Sequence, residues 1–121
     1  MVAWHLPIKT ASEGNCSEHW AIKAKRHKKQ KAWIKVTFLK ERPCIKLPVH
    51  IVLTRIAPRM LDEHDILRSS LKWVVDALAE CLIPGKAAGR ADDSKLITWE
   101  YHQQKGSPRE YAVKIEFKGR L

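Results

Sequence analysis

Residues 60–82, MLDEHDILRSSLKWVVDALAECL, carry an apolar stripe at helical spacing. The apolar side chains recur every three or four positions, at Leu67, Leu71, Val74, Val75, Leu78 and Leu82. Such a stripe has to face a core, so the segment predicts one amphipathic helix packed against another layer of structure. The helix is expected to end before Pro84 and Gly85, because proline cannot continue a helix and glycine favours its end.

Four other stretches alternate apolar and polar residues with the period of two that is typical of β-strands. They are VAWHLPI from residue 2, IKLPVHIVL from 45, ITWEY from 97 and YAVKIEF from 111. Pro7 indicates an edge position for the first strand, and KGSP between the last two predicts a hairpin turn. A basic helix over residues 17–38, with Ser17 as its N-cap, is expected between the first two strands.

The order β-α-β-α-β-β predicts an α/β (α+β) fold with a mixed sheet of about four strands and two main helices packed on it. The chain has 121 residues, which suits one domain over residues 1–121. No apolar run approaches the roughly 20 residues that cross a bilayer, and the N-terminus lacks the layout of a signal peptide. A cytoplasmic protein is therefore expected.

The positive charge is concentrated in the first half of the chain. Residues 1–61 carry 13 Lys and Arg against 3 Asp and Glu, whereas residues 62–121 carry 10 of each, for a net charge of +10. The density peaks in KAKRHKKQK, residues 23–31. Nucleic-acid phosphates would attract this run, although a basic run is more often simply a solvated helix face. The candidate phosphate contacts are Lys23, Lys25, Arg26, Lys28, Lys29 and Lys31.

Carboxylates collect near the start of the 60–82 helix. At about 100° per residue, the side opposite the apolar stripe holds Asp62, Asp65, Ser69, Lys72 and Asp76. Helix capping by Asp62 and an ion pair between Lys72 and Asp76 would be ordinary reasons for this pattern. A second acidic pair, Asp92–Asp93, follows in the next loop, where capping does not require it.

If that loop folds back, Asp62, Asp65 and Asp93 would meet, and their mutual repulsion would favour a cation between them. Oxygen ligands without a His and Cys set at metal spacing select Mg²⁺ or Mn²⁺ over zinc. A hydrated ion of this kind suits phosphoryl transfer, because it polarises the phosphate and activates water. Lys72 would then neutralise charge that develops in the transition state.

The segments LDEHDILRSSLKWVVDALAECL and ADDSKLITWEYHQQKGSPREYAVKIEF resemble the RusA-type Holliday-junction resolvases, many of which phages and prophages carry. The resemblance runs through residues 60–118 and extends weakly to the N-terminal strand and the basic segment. It implies a small homodimeric endonuclease of the bacterial cytoplasm that cuts four-way DNA junctions in recombination and repair, with Mg²⁺ as cofactor.

The resemblance also implies roles for particular side chains. The implied catalytic residues are Asp62, Asp65, Lys72 and Asp93, with the metal held by Asp62, Asp65 and Asp93 and with Glu63 and Asp92 as further candidates. Glu63 competes with Asp62, since it keeps the family's closer spacing to Asp65.

Two departures from the family pattern leave other readings open. Ile66 stands where the family usually has Asn, and the loop reads Arg90-Ala91 where the family usually has Gly and an aliphatic residue. These changes are compatible with weak activity or with a protein that has kept only binding. A non-catalytic nucleic-acid-binding protein that uses the basic helix at residues 17–38 is therefore the alternative. RNA or flap substrates also stay open, because their shape is not visible in the sequence.

Overall fold

A computed structural model describes residues 2–11, 20–62, 64–83 and 95–119, with His64 and Asp65 described in their backbone only. Within these ranges the chain forms four strands and three helices. They are β1 (Val2–Leu6), α1 (Trp20–Glu41), β2 (Val49–Ala57), α2 (His64–Ser70), α3 (Lys72–Leu82), β3 (Ile97–Lys105) and β4 (Ala112–Gly119). The predicted α+β fold with a mixed four-stranded sheet is confirmed, with three helices in place of two. None of the described helices is long and apolar enough to span a bilayer.

The strand order in the sheet is β1-β4-β2-β3. β4 runs antiparallel to both β1 and β2, while β2 and β3 are parallel, with Val49 opposite Ile97 and Ala57 opposite Lys105. The parallel pair needs a long crossover, and α2 and α3 lie within it along the chain. β1 pairs only with β4, so the edge position that Pro7 indicates is confirmed.

The predicted hairpin between the last two strands is wrong, because β2 lies between β3 and β4. Their connection instead crosses the end of β2, where the Gly106 amide donates to the Ala57 carbonyl at 2.8 Å. A Cβ at Gly106 would lie 2.6 Å from Glu110 Oε1 and 3.0 Å from Ile56 Cγ2. Glycine is therefore the residue that lets the connection pass so closely over the strand end.

The helices pack on one face of the sheet. Alternate residues of the central strand, Val49, Ile51 and Leu53, join the main buried cluster, as do Ile34 of α1 and Leu78 of α3. An aromatic group closes the β1 side of this layer. Trp4 lies with its ring centroid 5.0 Å from Phe38 and 5.1 Å from Phe117. The other face carries mainly polar and charged side chains, because strand residues alternate between faces.

The segment predicted as one helix over residues 60–82 forms two, with Leu71 between them at φ −103° and ψ 2°. The residues before this break explain it. The hydroxyl of Ser69 donates to the Ile66 carbonyl at 2.9 Å, and that of Ser70 donates to the Leu67 carbonyl at 2.7 Å. Serine hydroxyls that bond the preceding turn compete with the helical backbone pattern and bend helices. The Leu71 amide accordingly bonds Arg68, three residues back, at 3.1 Å.

The basic helix is described from Trp20 to Glu41, so it continues three residues beyond the predicted end. It stops at Arg42, whose φ of 44° is left-handed and whose amide donates to the Phe38 carbonyl at 2.9 Å. A large apolar side chain such as that of Trp20 is expected to pack in the core, but Trp20 is 74% exposed. The expected N-cap Ser17 lies outside the described residues.

Candidate functional site

The loop that carries Asp62 is fixed to the sheet at two points. The Leu61 amide donates to Gln103 Oε1 at 2.9 Å, and Gln103 Nε2 donates to the Leu61 carbonyl at 2.8 Å. Asp62 itself is exposed and comes immediately before α2, apart from residue 63, which lies outside the described ranges. The carboxylate is therefore presented to solvent from a backbone that β3 holds in place.

Arg55 provides the second attachment of this loop. Its guanidinium donates from Nη1 to the Arg59 carbonyl at 2.9 Å and from Nε to Thr10 Oγ1 at 2.9 Å. The side chain is only 6% exposed, and burial lowers the pKa of Arg55 from its ordinary value, although a guanidinium stays charged in proteins. One buried cation thus connects the acidic loop to the segment after β1.

Lys72 is the first residue of α3 and is exposed, with Nζ 5.1 Å from the centroid of the Trp73 ring. The expectation that Asp62, Lys72 and Asp76 share one solvent-facing helix side is wrong for Asp76, which is 9% exposed. Asp76 lies one turn before Glu80, whose carboxylate is 3.6 Å from Lys31 and Lys35 of α1. This side of α3 therefore faces α1 and not solvent.

The remaining acidic candidates are Asp65, whose backbone lies in α2 and whose side chain is not described, and Glu63, Asp92 and Asp93, which lie outside the described residues. In the described ranges, no group of three or more His, Cys, Asp or Glu side chains is placed to hold a metal ion. Of the candidate ligands, only the Asp62 side chain is described. Its carboxylate is the hard oxygen donor that Mg²⁺ prefers.

The described residues next to the two acidic segments lie at opposite ends of the β2–β3 pair. Asp62 follows the Ala57 end of β2, whereas Ile97, the first strand residue after Asp93, pairs with Val49 at the other end. α2 runs back along β3, because the Arg68 guanidinium lies 5.6 Å from the centroid of the Tyr101 ring in the middle of that strand. The predicted meeting of Asp62 and Asp93 involves residues 84–94, which lie outside the described ranges, and stays a prediction.

The six basic candidates of α1 differ in exposure. Lys25, Lys28 and Lys29 are exposed, whereas Lys23, Arg26 and Lys31 are half-buried. Lys31 lies 3.6 Å from Glu80 of α3 and 5.9 Å from the Trp73 ring centroid, so its charge helps to join the two helices. The exposed three offer a cationic surface for phosphates.

Sequence reasoning missed a cluster of titratable groups on the other face of the sheet. His50 Nε2 lies 3.0 Å from Glu100 Oε1, and His102 Nε2 bonds the second oxygen of the same carboxylate. These hydrogen bonds, that of His102 first, lower the pKa of Glu100. The alternation of β3 places Glu100 and His102 on one face, but the partner His50 becomes visible only when β2 and β3 are known to be parallel neighbours.

Comparison with known proteins adds no relative, since no family model matches the sequence and no curated protein matches it. The resemblance to RusA-type resolvases therefore rests on the sequence segments quoted above.

Proposed function

We propose that this protein is a metal-dependent endodeoxyribonuclease that hydrolyses phosphodiester bonds in Holliday junctions or other branched DNA. The observation that carries the proposal is an exposed aspartate, Asp62, on a loop tied to the sheet by Gln103 and Arg55. A nuclease has to hold its metal ligands rigidly, and an exposed carboxylate on an anchored backbone meets that requirement. The exposed cations of α1 supply the second requirement, which is affinity for phosphate.

In this proposal Asp62, Asp65 and Asp93 bind Mg²⁺, which Mn²⁺ can replace, and Glu63 and Asp92 are further candidates for the ligand set. The ion would supply an activated water and stabilise charge on the scissile phosphate. Lys72, exposed at the start of α3, contacts the same phosphate and neutralises the charge that develops there.

DNA binding in this proposal comes from α1 and is independent of sequence, since lysines bind phosphates and do not read bases. A homodimer would suit a four-way junction, because a two-fold protein presents two equivalent sites to two equivalent strands. Recombination and repair in the bacterial cytoplasm are the setting that this activity would serve.

The test is a cleavage assay with labelled four-way junction, linear duplex and single strand, each with Mg²⁺ and with EDTA. We expect the junction to be cut only with Mg²⁺. Asp62→Asn and Asp93→Asn should each reduce cutting by about a hundredfold or more, because metal-assisted charge stabilisation contributes several kcal/mol. Junction binding should persist or tighten, since like-charge repulsion against phosphate is removed.

Glu116→Gln is the matched control, because it also removes one carboxylate. Glu116 lies on β4, where its Oε1 is 3.8 Å from Lys114 Nζ, and it is not part of the acidic loop. Cutting at the wild-type rate by both aspartate variants would refute the site. Binding of junctions without cleavage under any divalent ion would favour the non-catalytic DNA-binding protein, for which the exposed lysines of α1 suffice.

A further inference from the structure

A cleft of about 450 Å³ lies between the segment that follows β1 and the middle of α1. It is lined by Pro7, Ile8, Lys9, Arg26, Lys29, Gln30 and Trp33. Three of these residues are cationic and one is a tryptophan that is 39% exposed. The lining thus combines the apolar side chains of Pro7, Ile8 and Trp33 with three cations. This combination suits a flat aromatic group attached to phosphate.

The wall formed by the segment after β1 is held firmly. Ile8 and Thr10 on either side of Lys9 are buried, with 1% and 4% of their surface exposed. Thr10 Oγ1 accepts a hydrogen bond from Arg55, and the Lys9 carbonyl accepts one from Gln30 Nε2 at 2.8 Å. The cleft is thus preformed, and a ligand would not have to order this wall when it binds.

Gln30 leaves one hydrogen-bonding atom unused. Its side chain is 2% exposed, and Oε1 has no hydrogen-bond partner among the residues that the structure describes. The Lys9 carbonyl can only accept, so the amide nitrogen must face it and the oxygen must be the remaining atom. Oε1 is itself closed off from solvent, so it belongs to the wall of the cleft, and a ligand N–H would reach it only after the lining shifts.

We propose that this cleft receives one unpaired nucleobase of a DNA strand, with Trp33 as its stacking surface. Every nucleobase carries the flat π-face that stacks on tryptophan, and the phosphates beside it suit the cations of the lining. Lys9 and Lys29 hold the phosphates on either side of the base. Branched DNA exposes such bases where strands cross or separate. The proposal rests on the DNA-binding part of the proposed function and adds a preference for unpaired bases to it.

The test compares three labelled DNA duplexes in EDTA, so that cleavage plays no part. One is fully paired, one has a single bulged adenine, and one has an abasic residue at the bulge. Fluorescence anisotropy gives the dissociation constants of wild type, Trp33→Ala and Trp33→Phe. We expect Trp33→Ala to weaken binding of the bulged duplex by between about fivefold and about 150-fold, the range for loss of one base stack. Binding of the paired and abasic duplexes should change by less than about twofold, and Trp33→Phe should keep most of the affinity.

Two control variants match the chemistry of the test residues on the same helix. Leu39→Ala removes an exposed apolar side chain, 75% exposed, and should change no dissociation constant. Lys29→Ala should weaken all three duplexes, and Lys40→Ala, which removes the same charge from the end of α1, should weaken them less. Trp33→Leu, which keeps an apolar side chain but removes the ring, tests the cleft if Trp33→Ala does not fold, and it should show the same selective loss for the bulged duplex.

Equal weakening of all three duplexes by Trp33→Ala, or no weakening, would overturn the proposal. So would unchanged affinity when the bulged base is replaced by the abasic residue, or tight competition by free dAMP, which would indicate a mononucleotide site. Conversion of a dimer to a monomer by Trp33→Ala in sedimentation would show that Trp33 contacts a second copy, and would also overturn it. These outcomes are independent of the nuclease test. If the protein bound bulged DNA through Trp33 but cut no DNA, the proposed base-binding cleft would stand and only the proposed nuclease activity would be refuted.

Discussion

Gln103 is the side chain that fixes the acidic loop, because both ends of its amide bond the backbone of Leu61. We expect Gln103→Leu to lower the free energy of unfolding by about 1–2 kcal/mol, since the Leu61 amide and carbonyl lose their partners. It should also slow cleavage, because Asp62 would no longer be held in one position. Urea unfolding and the junction assay measure the two effects.

Gln104→Leu is the control for this prediction, because Gln104 is the next residue of β3 and is exposed on the other face of the sheet. It should change stability by less than about 0.5 kcal/mol. Equal loss of stability in the two variants would mean that the hydrogen bonds to Leu61 contribute nothing specific.

Glu100 predicts a pH dependence of stability. Because His102 and His50 lower its pKa in the folded state, its charge stabilises the fold above the unfolded-state pKa of about 4.3, and this contribution is lost as the pH falls through the lower folded-state pKa. Glu100→Gln should therefore lower the urea midpoint at about pH 6, and the difference from wild type should shrink below about pH 4. Glu116→Gln removes a carboxylate from the same face without these histidine hydrogen bonds, and an identical pH profile for it would contradict the prediction.

For single residues, the sequence predicts the exposure of charged side chains better than it predicts which side chains contact each other. The exposure of Asp62 and Lys72 agrees with their polarity, and the exposed lysines of α1 agree with its charge. The attachment of Leu61 by Gln103 could not be predicted, because it joins residues 42 positions apart and depends on the strand order. The exposure of Trp20 could not be predicted for a related reason, since a large apolar side chain favours burial but does not specify it.

The contact between α1 and α3 shows which interactions hold an element in place. Glu80 lies 3.6 Å from both Lys31 and Lys35, but its side chain is 29% exposed, and exposed pairs of this kind contribute about 0.2–1 kcal/mol each. Ile34, which lies in α1 between the two lysines, is fully buried. Ile34→Ala should therefore cost about 2–5 kcal/mol, whereas Glu80→Gln should cost less than about 1 kcal/mol and less still at high salt.

Urea unfolding of both variants checks this ranking, with Leu39→Ala as the control for an exposed apolar residue of α1. If Glu80→Gln destabilised the protein as much as Ile34→Ala, the ion pairs would be the main link between the helices. The apolar layer would then have a smaller role than its burial indicates.

At the element scale, periodicity predicted where strands and helices exist, and local chemistry decided where they end. The alternating pattern from Val2 located β1, and the proline at position 7 placed it at the sheet edge. β2 begins at Val49 and not at Ile45, because Pro48 has no N–H for the ladder. The break at Leu71 could not be predicted from the apolar stripe over residues 60–82. Ser69 and Ser70 alter the backbone hydrogen bonds there without changing the apolar spacing.

For the whole molecule, the sequence predicted the fold class but not the neighbours in the sheet. KGSP has the residues of a hairpin turn, yet β4 pairs with β2 and β1 and not with β3. A turn composition is a local property, whereas strand order is settled by burial of β2, seven of whose nine residues are buried. The same long-range dependence explains why the cleft beside Trp33 has no signature in the sequence, since its two walls are separated by residues 10–25.

The charge distribution of the whole molecule predicts how DNA affinity should vary with salt. The exposed cations of α1 lie on one helix, whereas Lys114 and Lys118 project from β4 on the opposite face of the sheet. Each lysine that contacts a duplex phosphate contributes about 0.9 to the slope of log K against log salt concentration. Replacing Lys25 and Lys28 by alanine together should therefore reduce the slope by about 1.8, with similar losses for duplexes of different sequence.

The double variant Lys114→Ala and Lys118→Ala removes the same charge and should leave the slope nearly unchanged, because long-range effects of surface charge are screened beyond about 10 Å at moderate salt. Anisotropy titrations at several salt concentrations measure both slopes. Equal reductions in the two variants would show that the net charge of the protein, and not the placement of lysines on α1, determines its affinity for DNA. A reduction confined to the α1 variant would identify that helix as the surface that carries the phosphate contacts.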